Sequence, residues 1–209
     1  MSTGIVILAA GEAARMGEPK QLLAFRGTTL IRHTVATALS VQGAPVVVVL
    51  GAHAPQIREH LGPCLAESRI IAAENPAWHE GMGTSLRTGL RALLDAQPDI
   101  SAVIFLLCDQ PLVSEAVLGE LIATHGRTGS TIVASEYDGT LGVPALLTRT
   151  FFPGLLALDG AEGARQILWT HRARALGVPF PGGATDIDTP ADYARLQNFS
   201  SEHSTLHAA

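Results

Sequence analysis

The chain reads as an α/β protein whose mostly parallel sheet is covered by helices on both faces. Three observations predict this. Five short runs rich in Val, Ile and Leu, Gly4–Ala10, Pro45–Leu50, Arg69–Ala73, Ala102–Leu107 and Thr131–Ser135, are nearly continuous in hydrophobicity, the pattern of strands buried on both faces. Between them lie stretches of helical spacing, Thr29–Val41, Pro55–Leu61, Thr84–Leu94 and Ser114–His125. Strand and helix in alternation require crossover connections, and crossovers make neighbouring strands parallel. At 209 residues the chain matches one ordinary domain with a sizeable core. No internal repeat or long linker divides it, so residues 1–199 are expected to form that domain and 200–209 a polar, frayed tail.

The first run, Gly4–Ala10, has no basic segment before it and is too short for a bilayer, so it predicts neither a secretion signal nor a membrane anchor. In Thr84–Leu94, Leu86, Leu90, Leu93 and Leu94 recur at helical spacing while Arg87 and Arg91 occupy another face. Ser114 is placed to cap the next helix and Gly126 to stop it. Beyond Ser135 the pattern changes. Tyr137-Asp138-Gly139-Thr140 signals a turn, and Leu141–Leu147 is strand-like but interrupted by Pro144. Helical material near Ala161–His171, a strand near Ala173–Val178 and a Pro/Gly loop over Pro179–Thr185 follow, and Thr189 is expected to cap a last helix running through Gln197.

Composition narrows the class. Hydrophobic residues at 47% and charged residues at 16% describe a globular chain, and aromatics at 5% leave the core to Ala, Val, Leu and Ile. A net charge of −5 argues against a broad nucleic-acid surface but leaves room for a small anion held by a local basic cluster. Cys64 and Cys108, the only cysteines, form neither a disulfide framework nor a zinc spacing. Cys108 closes an apolar run and reads as a buried free thiol, a usage that suits the reducing cytoplasm. His203 and His207 stand four apart, a metal-capable spacing, but in a terminal tail they read as solvated; the loop histidines His53 and His79 read the same way.

The chemistry concentrates in Leu8-Ala9-Ala10-Gly11-Glu12-Ala13-Ala14-Arg15-Met16-Gly17-Glu18-Pro19-Lys20, directly after the first strand. Ligands gather beyond the carboxyl ends of strands in open parallel sheets. Gly11 and Gly17 let backbone N–H groups approach phosphate oxygens, and Arg15 and Lys20 add cations to the same arc. Of 14 basic residues 13 are arginine, and the single lysine is Lys20, a compact point charge that a guanidinium does not mimic. The spacing is not that of a Walker A loop, because five residues separate Gly11 from Gly17 and Glu18-Pro19 precede Lys20; the Gly-x-Gly-x-x-Gly dinucleotide fingerprint is also absent from this loop. The glycines alone fit an ordinary tight turn equally well; the cations and the carboxylates below give the loop its chemical meaning.

Asp109 ends the apolar run Ala102–Cys108, and Asp186-Ile187-Asp188-Thr189-Pro190 opens the last helix. Either set could serve as turn or cap residues. The functional reading is that Asp109 and one of the later aspartates share a Mg²⁺, an ion that prefers a few carboxylates completed by water and substrate phosphates. Gly81-Met82-Gly83-Thr84-Ser85, ahead of the Thr84–Leu94 helix, is small and rich in free N–H groups, suited to a base, ribose or phosphate.

Together these segments resemble the MobA-like NTP transferase family, and most closely its molybdenum cofactor cytidylyltransferase branch. The resemblance runs from Leu8-Ala9-Ala10-Gly11 through Arg15-Met16-Gly17 to Lys20-Gln21-Leu22-Leu23, then to Gly81–Leu86, Asp109-Gln110-Pro111 and Asp186–Pro190, in the family's order and over roughly Gly4 to Leu196. It implies a Rossmann-like fold of the nucleotide-diphospho-sugar transferase type. It implies transfer of a nucleotidyl group to a phosphorylated acceptor with loss of pyrophosphate. Ala9-Ala10-Gly11 resembles the cytidylyl branch and favours CTP. By resemblance, the backbone from Leu8 to Gly11, Gly17 and the Gly83–Ser85 turn contact nucleotide, Arg15 and Lys20 stabilise charge during transfer, and Asp109 and Asp188 hold Mg²⁺. Gly142, Pro144 and Asp186 would meet the acceptor, molybdopterin being the suspected one. Where molybdopterin-specific members usually read Gly-His-Pro, this chain reads Gly142-Val143-Pro144, and Val143 donates no hydrogen bond. A related transferase with another acceptor, and an accessory protein delivering cofactor to a xanthine dehydrogenase-type molybdoenzyme, stay open.

Overall fold

The computed structural model describes residues 2–205 of the chain. Its sheet has seven strands in the order β5-β4-β1-β6-β8-β7-β9: β1 Thr3–Ala9, β4 Val46–Leu50, β5 Ile70–Glu74, β6 Ala102–Leu107, β7 Ile132–Tyr137, β8 Thr140–Thr148 and β9 Leu176–Pro179. Strands β2 (Ala24–Phe25) and β3 (Thr28–Thr29) form a separate small hairpin. Only β8 runs against the others in the large sheet, pairing antiparallel with both β6 and β7. The mostly parallel α/β fold, Rossmann-like, therefore holds.

The helices are α1 (Leu30–Leu39), α2 (Ala54–Leu61), α3 (Met82–Ala96), α4 (Glu115–Thr128), α5 (Phe152–Leu156), α6 (Ala164–Thr170) and α7 (Pro190–Thr205). Side-chain alternation along β1 divides them between two cores. Ile5, Ile7 and Ala9 pack with α1, α2 and α4, whereas Val6, Leu8 and Ala10 pack with α3, α5 and α6. The four Val residues and Leu50 of β4 are all fully buried, which is why that run shows no polar alternation.

Several expectations shift. Gly126 lies inside α4; the helix stops at Gly129, whose φ of +67° is the left-handed conformation that glycine accepts at a helix end. The last helix runs to Thr205 rather than Gln197, and the end of the supposed frayed tail, His207 included, lies outside the described residues. Pro144, expected to weaken its strand, sits inside the sheet, because the β7–β8 register slips there: Ala134 pairs with Ala145 and Ser135 with Gly142. The slip spares Pro144 a ladder donor, and Ser135 Oγ donates to its carbonyl at 2.9 Å. The turn signal at Asp138-Gly139 is the two-residue connection of the β7–β8 hairpin, both residues having positive φ. The β2–β3 hairpin and α5 are too short to leave a periodic signal. Among the described residues no helix is long and apolar enough to cross a membrane.

Candidate active site

The loop after β1 is built by capturing its carbonyl oxygens. Gln21 is 2% exposed, and its Nε2 donates to Ala9 O at 3.0 Å and Gly11 O at 2.9 Å. Ala52 N donates to Ala10 O, the His53 ring meets Glu12 O at 2.9 Å, and Met16 N closes a turn onto Ala13 O. In a trans peptide the following N–H points opposite to each carbonyl. Capturing the carbonyls of residues 10–13 therefore turns the amides of Gly11, Glu12, Ala13 and Ala14 away from these partners. Among the described residues none of those four amides donates a hydrogen bond. Ala13 adopts φ +57° and Gly17 φ +75°, so the loop winds tightly around these fixed carbonyls. His53 is thus a loop fastener rather than a solvated side chain, and His79 packs edge-on against Trp78.

Lys20 crosses this crevice. Its Nζ lies 2.5 Å from Asp109 Oδ2 and 2.9 Å from Asp188 Oδ1, although the three residues are far apart in sequence. Burial opposes the ammonium charge, but Asp109 and Asp188 outweigh it and hold the Lys20 pKa above its ordinary value. The hydrogen bond from Lys20 in turn holds Asp188 below the usual carboxylate range. Asp188 is free for this because it is not the helix cap. Thr189 caps α7 instead: its N and Oγ1 donate to Asp192 Oδ2 at 2.7 and 2.8 Å. Ile187 N donates to Asp109 O at 3.0 Å, stitching the segment to the end of β6. Arg15 reaches Asp188 Oδ2 at 2.8 Å, but its side chain is 70% exposed and stays at the rim.

Asp186 behaves differently. Its position among other groups, first its burial and then the neighbouring Asp109 carboxylate, pushes its pKa up to about 6. Cys108 is a buried thiol pushed up to about 12 by burial and by Asp109, as expected of an inert core cysteine.

Two adjoining cavities open on this crevice, and they share Leu8, Met82 and Leu107 as walls. The first, about 230 Å³, is lined by Leu8, Ala9, Ala10, Gly11, Lys20, Ser85 and Asp109 among the expected residues, by Gly81 and Met82 of the segment read as a base, ribose or phosphate contact, and by Gln21 and Trp78, which the motif reading gave no role. Gly17, Gly83 and Thr84 do not line it. Gly83 is a packing residue: a Cβ there would collide with the Asp159 carbonyl oxygen, and its amide donates to Gly160 O at 3.0 Å. Thr84 is buried, its hydroxyl held by Asn75, Ala77 and Gly81. The second cavity, about 280 Å³, collects Gly142 and Asp186, together with Gln110, Tyr137, Val143 and Arg165. Pro144 lies just behind this wall and does not line it; its carbonyl is tied to Ser135.

A divalent cation fits the donor set. Asp109 Oδ1 is buried with no hydrogen-bond partner, an oxygen left over after Lys20 takes Oδ2. Among the described residues no group of three or more His, Cys, Asp or Glu is arranged to cage a metal. Water and substrate phosphates would have to complete the shell, as Mg²⁺ prefers.

A crevice at the carboxyl ends of parallel strands, bordered by the unpaired Gly11 amide and crossed by an ammonium, lies where open α/β sheets bind their ligands. The chain belongs to the MobA-like NTP transferase family, whose domain model matches residues 5–175. It is 30% identical to the purine catabolism protein PucB of Bacillus subtilis over 203 residues, 90% of this chain and 92% of PucB. It is 36% identical to the nicotine blue oxidoreductase of Paenarthrobacter nicotinovorans over 172 residues, 78% of this chain and 79% of that protein. With the bifunctional protein GlmU of Streptomyces coelicolor it shares 30% identity, spanning only 33% of that longer chain. The structure of Rv0371c from Mycobacterium tuberculosis superposes with a TM-score of 0.78 at 30% identity, covering 94% of this chain and 97% of that one. Rv0371c has also been solved in complex with manganese.

Proposed function

We propose that this chain transfers CMP from CTP to a phosphate of a small acceptor, molybdopterin being the acceptor to test first, with release of pyrophosphate. One observation carries the reading: Lys20, Asp109 and the loop from Leu8 to Gly11, with its unpaired Gly11 amide, line one cavity, and a second cavity adjoins it. The amides and Lys20 suit a triphosphate tail. Trp78 and Met82 supply apolar walls for a base or ribose, and Ser85 Oγ, which already accepts from Asn75 at 3.0 Å, keeps its proton to donate.

In this reaction a phosphate oxygen of the acceptor attacks the α-phosphorus of CTP in line. A P–O bond forms there as the bond to the β-phosphate oxygen breaks, and pyrophosphate departs with the electron pair. No general base is needed, because the acceptor phosphate is already ionised at neutral pH. The protein's task is positioning and charge stabilisation. Lys20 shifts its ammonium from the two carboxylates toward the phosphates, where negative charge grows on the leaving group. Arg15, at the rim on Asp188, neutralises the outer phosphates. Asp109 and Asp188 would hold Mg²⁺, which supplies electrophilic polarisation of the phosphate oxygens when bound.

The name of one relative, nicotine blue oxidoreductase, supports a second reading, in which the same crevice holds a redox dinucleotide. The missing glycine fingerprint weighs against it. Pyrophosphate release measured over four nucleoside triphosphates, with and without molybdopterin, tests the first reading; NADH and NADPH oxidation by the same preparation tests the second. CTP binding without pyrophosphate release from any acceptor would leave the accessory role, delivery of cofactor to a molybdoenzyme.

A further inference from the structure

The second cavity contains a cation that no motif pointed to. Arg165 stands in the first turn of α6 and is the only basic residue lining this cavity. Among the described residues it forms no hydrogen bond or ion pair. Neither of the nearby carboxylates pairs with it. Glu162, which borders the outer groove with Arg165, accepts from Asp159 N at 3.2 Å. Asp186, the other charged residue of the cavity, is governed first by its burial and then by Asp109, Gln110, Asp188 and Lys20. Tyr137, which lines the same cavity, has its ring wedged between Gly142 and Gly183.

The rest of the lining is largely apolar, with Leu107, Leu141, Val143 and Leu168 forming much of the wall. Val143 gives the β8 side no donor, so the lining's only cationic donor comes from α6. A guanidinium at the edge of an apolar slot lacks a partner of its own and is more weakly hydrated than an ammonium, so a ligand anion displaces little to reach it. Its fork matches the paired oxygens of a phosphate or carboxylate.

The geometry points to Arg165 as the anchor for an anionic group on a ligand with an apolar, flat body lying along Leu107, Leu141, Val143 and Leu168. In the transferase reading that ligand is the acceptor, and only that label depends on the reading; the binding site does not. Arg165 is then a specificity-determining residue, absent from the loop that handles the triphosphate.

Phenyl phosphate is a suitable probe, joining a flat apolar ring to one phosphate. Calorimetric titration of the wild-type protein, Arg165→Gln and the exposed control Arg91→Gln should show binding at least fivefold weaker in Arg165→Gln and unchanged in Arg91→Gln. Absence of binding to the wild type, or equal affinity in wild type and Arg165→Gln, overturns the assignment. In pyrophosphate-release assays with CTP and molybdopterin, Arg165→Gln should raise the acceptor KM at least tenfold, leave kcat within about twofold and leave the CTP Kd unchanged. An unchanged acceptor KM overturns the assignment as well. Arg165-dependent binding of phenyl phosphate by a wild-type protein that releases no pyrophosphate would support the site and sink the transferase reading, so the two failures are separable.

Discussion

The two cavities are made by different means. The first is a backbone device: captured carbonyls fix a turn, the loop amides are left unpaired, and one lysine spans two aspartates. The second is a mosaic of side chains from β8, α6 and the segment before α7, with little main-chain chemistry of its own. A backbone receptor recognises what all nucleoside triphosphates share. A side-chain mosaic can change its ligand through a few substitutions while the sheet stays intact. On this comparison, the first cavity should be intolerant of change and the second should set acceptor choice.

The largest effect is expected at Lys20. Lys20→Ala should cut turnover at least a hundredfold, about 2.7 kcal/mol of transition-state stabilisation, while circular dichroism shows the fold retained. Pyrophosphate release near the wild-type rate would remove Lys20 from the chemistry and leave the first cavity a mere binding pocket. Asp109→Asn comes next. It keeps the side chain's shape but removes the charge behind the orphaned oxygen, so it should abolish the response of activity to added Mg²⁺ or Mn²⁺. An intact metal response in that variant would mean that the ion is held elsewhere.

The same division explains what the sequence revealed. The parallel sheet was legible because strands such as Val46–Leu50 are buried on both faces and so carry no polar residues. The first cavity was legible because its parts lie in one short arc after β1, with Asp109 at the end of another strand. Gln21 and Ala13 were not: a buried amide clamp and a non-glycine left-handed residue follow from carbonyl geometry, which spacing does not encode. Gly83 and Thr84 looked like ligand contacts because small residues at a helix start serve packing and binding equally well; here Gly83 packs against Asp159 and Thr84 is held by Asn75. Arg165 left no signal, because nothing in its neighbourhood of the chain says that α6 faces β8 across a cavity.

A milder test of the backbone device is Gln21→Ala. It removes both hydrogen bonds that hold Ala9 O and Gly11 O, a loss of about 1–3 kcal/mol for buried acceptors left unpaired. The loop amides would lose their fixed direction, so the CTP KM should rise about tenfold while the acceptor KM stays within twofold. Equal increases in both constants would show that the two cavities are not separately built.

The smallest effect concerns Asp186, a wall of the second cavity that feels the Asp109 carboxylate of the first. Its folded-state pKa of about 6 lies above the unfolded value near 3.8, so the folded protein holds this proton more tightly than the unfolded chain. For a carboxyl raised on folding, stability falls as pH climbs from about 4 to about 6, and the penalty is fully present above that window. Asp186→Asn removes the ionisation and should raise the melting temperature at pH 7.5. Solvent around the exposed part of the side chain screens the repulsion and limits the gain to a few degrees. Below about pH 4, where the wild-type carboxyl is protonated in both states, the gain should vanish. A gain that persists unchanged at pH 3.5 would mean that the asparagine packs better there, and that Asp109 and Asp186 do not share a field across the border between the cavities.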